Sequence, residues 1–269
     1  MWATVVIVTG LATGAAVDGR AAGLGASGVP PDAVAATQPQ VAEPLDAAFG
    51  LIQAQRYDEA REALSPVLEA HPDLSRAHFL VGLSYHKERR FTIAEEHLRR
   101  AAERDAADPA ARFYLGECLY NLGRLDEARR LLEGFVAEFP EEADGHFALG
   151  QLELAEGKLD AAADHFRASA ELAERRGNRV RWASALVRWA DVDVLAGRLE
   201  DAKGRLLRAV EVNPELYGAY FKLARVLTRL GDHEGAAKAM DAHRRLRPAG
   251  NDQQAEADPD ADADLEPAP

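Results

Sequence analysis

A column of alanines constrains this 269-residue chain more than any other feature. Ala60, Ala94, Ala128 and Ala162 stand 34 residues apart, as do Ala202 and Ala236, with one longer step of 40 residues between Ala162 and Ala202. Twelve residues ahead of each alanine is another small residue: Ala48, Gly82, Gly116, Gly150, Ala190 or Ala224. Four residues after each is a large apolar one: Leu64, Leu98, Leu132, Phe166, Leu206 or Met240. Proline closes four of the six units, as Pro72, Pro140, Pro214 and Pro248. Two antiparallel helices approach closely only where the facing side chains are small. The pattern therefore predicts a helical hairpin in each period, its small residues facing each other and the large residue filling the groove beside them.

The turns fit the same frame. Gly123, Gly157, Gly197 and Gly231 fall where the first helix must stop, a place where a left-handed residue satisfies its last carbonyls. Asp126, Asp160 and Glu200 follow, at the start of the second helix, where the dipole favours an acid. Gln55 and Arg89 occupy the glycine column of the first two units. Left-handed geometry there costs each about 1 kcal/mol relative to glycine, which predicts that the N-terminal end frays first in hydrogen exchange. Composition agrees with an all-helical chain: 47% of residues are hydrophobic but only 7% aromatic, and β-branched runs are confined to the first few positions.

The period and its columns, over roughly residues 41–250, resemble the tetratricopeptide repeat family. The resemblance implies an all-α, right-handed superhelical solenoid of about six hairpins, over about 41–74, 75–108, 109–142, 143–182, 183–216 and 217–250. Departures are local. Ala106 and Glu174 replace the closing proline in the second and fourth units, and Pro44 and Ala47 stand in the first where bulkier residues usually pack. Six additional residues around Glu171 to Val180, including Arg176, Gly177 and Asn178, resemble the lengthened second helix of a longer variant and predict an offset at that joint.

The resemblance further implies that the first helices line an inner, concave surface holding a protein or peptide. By register, that surface takes Phe49 and Ile52 from the first unit, Phe79, Leu83 and His86 from the second, Phe113, Glu117 and Tyr120 from the third, and Phe147, Gln151 and Leu154 from the fourth. The corresponding places hold Val187, Asp191 and Val194, then Phe221, Arg225 and Thr228, so the face becomes more polar and binding is expected to concentrate towards the front. Register admits a second placement, with the phenylalanines beside His78 and His146 turned into the seams between hairpins as core. Repeats that grip the acidic tails of heat-shock chaperones need Lys, Asn and Arg at inward places. Mainly Leu, Phe, Ala and Asp stand here, so a hydrophobic or aromatic peptide is expected instead. The expected function is a peptide- or protein-binding scaffold with a phenylalanine-lined groove, not an enzyme. The alternative is a structural role in self-association or an envelope complex, through an uncovered face of Ala236, Ala239 and Met240 on the last hairpin.

Charge narrows the partners. The net charge is −13, seven units of it in the last nineteen residues, and an acidic body repels phosphate backbones, so no nucleic acid is expected. Residues 1–16, apolar from Trp2 to Ala16 apart from three threonines, suit a signal peptide or short anchor, although no Lys or Arg precedes them and the run is short for a membrane span. This predicts export to the periplasm or cell envelope, with membrane contact only through that segment and a cytoplasmic chain as the alternative. A linker (17–40) and a disordered acidic tail (251–269) complete the expected organisation.

Other motifs dissolve on inspection. Gly23, Gly25 and Gly28 have dinucleotide-binding spacing but run into Pro30 and Pro31 where a helix should open. Asp258, Asp260, Asp262 and Asp264 resemble a calcium loop, but Ala263 stands where the turn needs glycine. The eight histidines show no close pairing that repeats, so no metal or cofactor is expected; His78 and His146, sharing one column, are expected to pack at a hairpin contact. Trp189 falls in the apolar column, and Cys118 near the small-residue column suits a buried, inert thiol.

Overall fold

A computed structural model describes residues 39–105 and 108–247, and every regular element among them is an α-helix. The expected leader (1–16), most of the expected linker and the acidic tail lie outside the described residues. The twelve helices are α1 (Pro39–Gln53), α2 (Tyr57–Ala70), α3 (Ser75–Lys87), α4 (Phe91–Arg104), α5 (Pro109–Asn121), α6 (Leu125–Glu138), α7 (Ala143–Ala155), α8 (Leu159–Arg175), α9 (Arg179–Leu195), α10 (Leu199–Val212), α11 (Tyr217–Arg229) and α12 (His233–Leu246). They pair into six hairpins. Three belong to a compact unit ending at Glu138 and three to a second unit beginning at Phe139.

Local sequence explains where the helices begin and end. Asp108 caps α5 by accepting hydrogen bonds from the amides of Ala110 (2.9 Å) and Ala111 (3.4 Å), and Pro109 follows at the first helical position. Asn178 and Asp232 cap α9 and α12 in the same way. Gly123 has φ +75° and closes α5: its amide donates to Tyr120 O (3.0 Å), and that of Arg124 to Leu119 O (2.8 Å). The same paired closure is built at Gln55 (φ +60°) and Arg89 (φ +61°), with side chains that resist this backbone. Gln55→Gly and Arg89→Gly should each stabilise the protein by about 1 kcal/mol, read from urea denaturation. Unchanged or lower stability would show that the left-handed backbone carries no strain there.

The repeat's columns meet as their sizes require. A Cβ added to Gly82 would lie 2.7 Å from Leu98 Cγ, one on Gly116 3.0 Å from Leu132 Cδ2, and one on Gly150 2.7 Å from Phe166 Cε1. The first helix thus presses its backbone against the large residue of the second, while Ala60, Ala94, Ala128, Ala162 and Ala202 are wholly buried beside it.

Two expectations need correction. The six additional residues lengthen both α8 and α9, to 17 residues each, against 14 for the other second helices and 13 for most first helices. Gly177, with φ +69°, stops α8 and Asn178 starts α9, so the fourth hairpin closes before residue 179 and not at 182. Ala236 and Ala239 are buried in a cluster with Leu223, Ala224 and Leu227, and Met240 packs against it. These residues face into the last hairpin, so they form no uncovered apolar surface.

Candidate protein-binding face

In the N-terminal unit the phenylalanine column is core. Phe79 is 0% exposed and Phe113 3%, and Leu83 and Ile52 are also buried. The Phe79 ring centre lies 5.9 Å from Tyr114, and Phe113 lies 5.3 Å from Tyr114 and 5.0 Å from Phe135. These rings pass from α3 through α5 to α6, filling the seam between the second and third hairpins. An open groove lined by Phe79, Leu83, Phe113 and Ile52 is therefore corrected: the side chains that would wall it are spent on packing hairpin to hairpin.

What remains partly open on the first helices of the N-terminal unit is smaller and more polar. Phe49, His86, Glu117 and Tyr120 are half-buried. The His86 ring meets Tyr114 and Phe91 edge-on at 5.3 and 5.6 Å. Its Nε2 lies 3.6 Å from Glu117 Oε2, beyond hydrogen-bonding reach, and neither ring nitrogen has a hydrogen-bond partner. Burial, aided by the neighbouring Lys87 charge, holds its pKa down to about 4.

Sequence reading missed Arg76, three residues ahead of Phe79 and on the same stripe of α3 as His86. Its guanidinium lies 5.1 Å from the Phe79 ring centre, and Nη1 is buried without a hydrogen-bond partner. Burial pulls its pKa down against the fields of Asp108 and Asp46. The spacing Arg76, Phe79, Leu83, His86 was legible as one helical face; that Arg76 Nη1 and the His86 ring nitrogens lack hydrogen-bond partners was not.

In the C-terminal unit the corresponding face is tied up internally. Phe147 is half-buried, with Phe166 at 5.7 Å and the Arg181 guanidinium at 4.2 Å, and Arg181 itself pairs with Asp144. Asp191 accepts hydrogen bonds from Lys222 at 2.8 and 2.9 Å and faces Arg188 at 3.5 Å. Gln151 is half-buried, and Leu154 packs against the cluster around Phe166. Behind this face Asp193 is 1% exposed, bound by Arg198 Nε (2.9 Å) and paired with Arg205, whose guanidinium lies 3.9 Å from the Trp189 ring centre. Burial pushes the Asp193 carboxyl up despite both arginines.

The histidines pair after all. His78 and His97 approach Nδ1 to Nδ1 at 3.0 Å, and His146 and His165 repeat the contact at 3.2 Å. The spacing of 19 residues crosses a turn, so neither helix's own period reveals it. Among the described residues no group of three or more His, Cys, Asp or Glu side chains could hold a metal ion, and no helix is long and apolar enough to cross a membrane. Cys118 is buried, and burial pushes its thiol pKa far up.

Comparison with known proteins converges on one architecture. Two profiles, each described as a tetratricopeptide repeat, match this chain, one over residues 85–152 and the other over 45–92 and 187–251. A curated relative, the TPR repeat-containing protein MJ1428 of Methanocaldococcus jannaschii, is 27% identical over 120 residues, 44% of this chain. The chain spans only 21% of that relative's length. Among solved structures, PilF of Pseudomonas aeruginosa superposes with a TM-score of 0.63 at 21% identity, covering 80% of this chain and 96% of its own. TTC0263 of Thermus thermophilus gives 0.58 at 20%, covering 69% and 98%. A chain of the APC/C Cut9–Hcn1 hetero-tetramer gives 0.69 at 16%, covering 81% and 42%. At these identities the likeness to the solved structures is one of fold.

Proposed function

Because the chain belongs to the tetratricopeptide repeat family, we propose that it is a protein-binding scaffold that holds its partner against the first helices of its N-terminal unit. The observation that supports this choice of face is the pair of polar groups at the two ends of one α3 stripe, Arg76 Nη1 and the His86 ring, buried without hydrogen-bond partners. A buried donor left unmatched costs about 1–3 kcal/mol, which a partner's acceptor would recover on docking. Phe49 and Tyr120, half-buried on the neighbouring first helices, supply apolar contact beside them. The partner that fits is amphipathic: an acceptor, best a carboxylate, for Arg76, and an apolar group for the aromatic rings. This replaces the hydrophobic or aromatic peptide expected from sequence, because Phe79 and Phe113 of the column that would have bound it are core.

The C-terminal unit supports the same choice by contrast, since Arg181, Arg188, Asp191 and Lys222 on its first helices are already committed to ion pairs. Photo-crosslinking in cells tests the proposal. A crosslinking residue at position 120 should trap a discrete protein adduct, and one at position 238, an exposed site on α12, should not. Equal yields at both positions, or none at 120, would overturn it.

A further inference from the structure

The two histidine pairs are built alike. In each, one histidine sits on the first helix of a hairpin (His78 on α3, His146 on α7) and the other on the second (His97 on α4, His165 on α8). The first histidine's Nε2 faces a proline carbonyl in the preceding turn, Pro72 O at 2.9 Å or Pro140 O at 3.2 Å. A carbonyl only accepts, so Nε2 of His78 and His146 carries the proton and their Nδ1 presents a lone pair. The opposing Nδ1 of His97 and His165 must then donate. Ring centres lie 5.2 and 5.5 Å apart, longer than the N···N distances by about two ring radii, so the rings meet nearly in line. Two imidazoles on one tetrahedral metal ion would converge at an angle; a straight approach is that of a hydrogen bond.

The geometry points to a pair of acid-sensitive latches, one in each compact unit, in which a proline carbonyl, a first-helix histidine and a second-helix histidine form a chain that holds while the inner nitrogen is unprotonated and opens when it gains a proton. One proton can be absorbed without damage on the outward Nε2 of His97, because Nδ1 still donates across the gap and the bond becomes charge-assisted. A second proton has nowhere to go but the shared gap. Two N–H groups then face each other with no acceptor between them, and His78, 4% exposed, cannot turn to water without leaving its seat.

The surroundings offer the second charge little relief. Tyr85 lies 6.2 Å from His97, and Glu96 favours protonated His97 while Arg100 opposes it. Burial, followed by the His78 charge, brings His97 below its ordinary value. The acids next to the prolines are occupied, Asp73 by Arg104 (2.6 Å) and Glu141 by Arg175 (3.3 Å). His97 thus contributes stability that is present above the unfolded histidine pKa near 6.5 and is lost as pH falls below it. His86 adds a loss of the same sign over the window from 6.5 down to about 4.

The full chain carrying both His97→Asn and His165→Asn separates the latches from that background. An asparagine amide can donate at the position of Nδ1, and it can turn to accept when the opposing histidine is protonated. Between pH 7 and 5 the wild type should lose roughly 5 °C more in Tm than this variant, while His86 contributes equally to both. Long-range proton–nitrogen NMR at pH 7.5 should show Nε2–H on His78 and His146 and Nδ1–H on His97 and His165. Equal acid losses, or the opposite tautomers, would overturn the inference. So would zinc chloride at pH 7 raising the Tm of the wild type but not the variant, which would make each pair a metal chelate.

Discussion

Gly150→Val should destabilise the C-terminal unit by about 3 kcal/mol. Its added Cβ alone would sit 2.7 Å from Phe166 Cε1 and 2.8 Å from Cδ1. Phe166 cannot retreat, because it is 0% exposed and closed in by Ala162 and Val192. The helices would have to separate at the place where the repeat brings them closest, and α7 would lose its seat on α8. Gly204, on α10 of the same unit, is the control: nothing lies within 4 Å of an added Cβ there, so Gly204→Ala should hold or raise stability by up to about 1 kcal/mol through helix propensity. Urea denaturation of the two variants checks both signs. Similar stability for both would mean that the small-residue column does not set the approach of the helices.

Asp193→Ala should cost about 3 kcal/mol, an effect of comparable size from a different cause. The carboxylate is buried and is the anion that Arg198 and Arg205 share. Arg198 is the more exposed of the two and can turn to water, but Arg205 is confined against Trp189 and would be left without its counter-charge. The upward push on the Asp193 carboxyl shows that burying the charge is itself unfavourable. Removal hurts because it strands the partner, whereas replacing the whole triad by apolar groups of the same shape need not. Asp193→Asn, which keeps an acceptor for Arg198, should lose less than Asp193→Ala. A cost for Asp193→Ala no greater than that of an ordinary surface substitution, below about 0.5 kcal/mol, would remove the triad from the account.

How far the sequence carried depended on whether a residue's partner lay within its own repeat. Gly82 and Leu98, or Gly150 and Phe166, recur at fixed spacing because the hairpin repeats, and periodicity exposed them. Gln55 and Arg89 were readable as left-handed from the glycine column they interrupt, and both have positive φ. Phe79 and Phe113 were ambiguous because what buries them is the neighbouring ring of Tyr114 and the next helix's Phe135, neither of which belongs to the column being read. The lengthened joint was visible as an insertion, yet its division between α8 and α9 rests on Gly177 and Asn178, a stop and a cap that could have been read as such. Asp193 looks like a surface acid until α10 brings Arg205 against it. Arg76 and His86 stand out only once their surroundings show what they lack.

The central claim is that partners dock on the N-terminal unit's first helices through Arg76, His86, Phe49 and Tyr120. Once the adduct at position 120 is identified, the most direct test is the partner's affinity for the wild type, Arg76→Ala and Tyr120→Ala, each confirmed as folded. A loss of about tenfold or more for each variant, equivalent to at least 1.4 kcal/mol, is the predicted result. Wild-type affinity in both folded variants would contradict the account and move the binding face elsewhere on the chain.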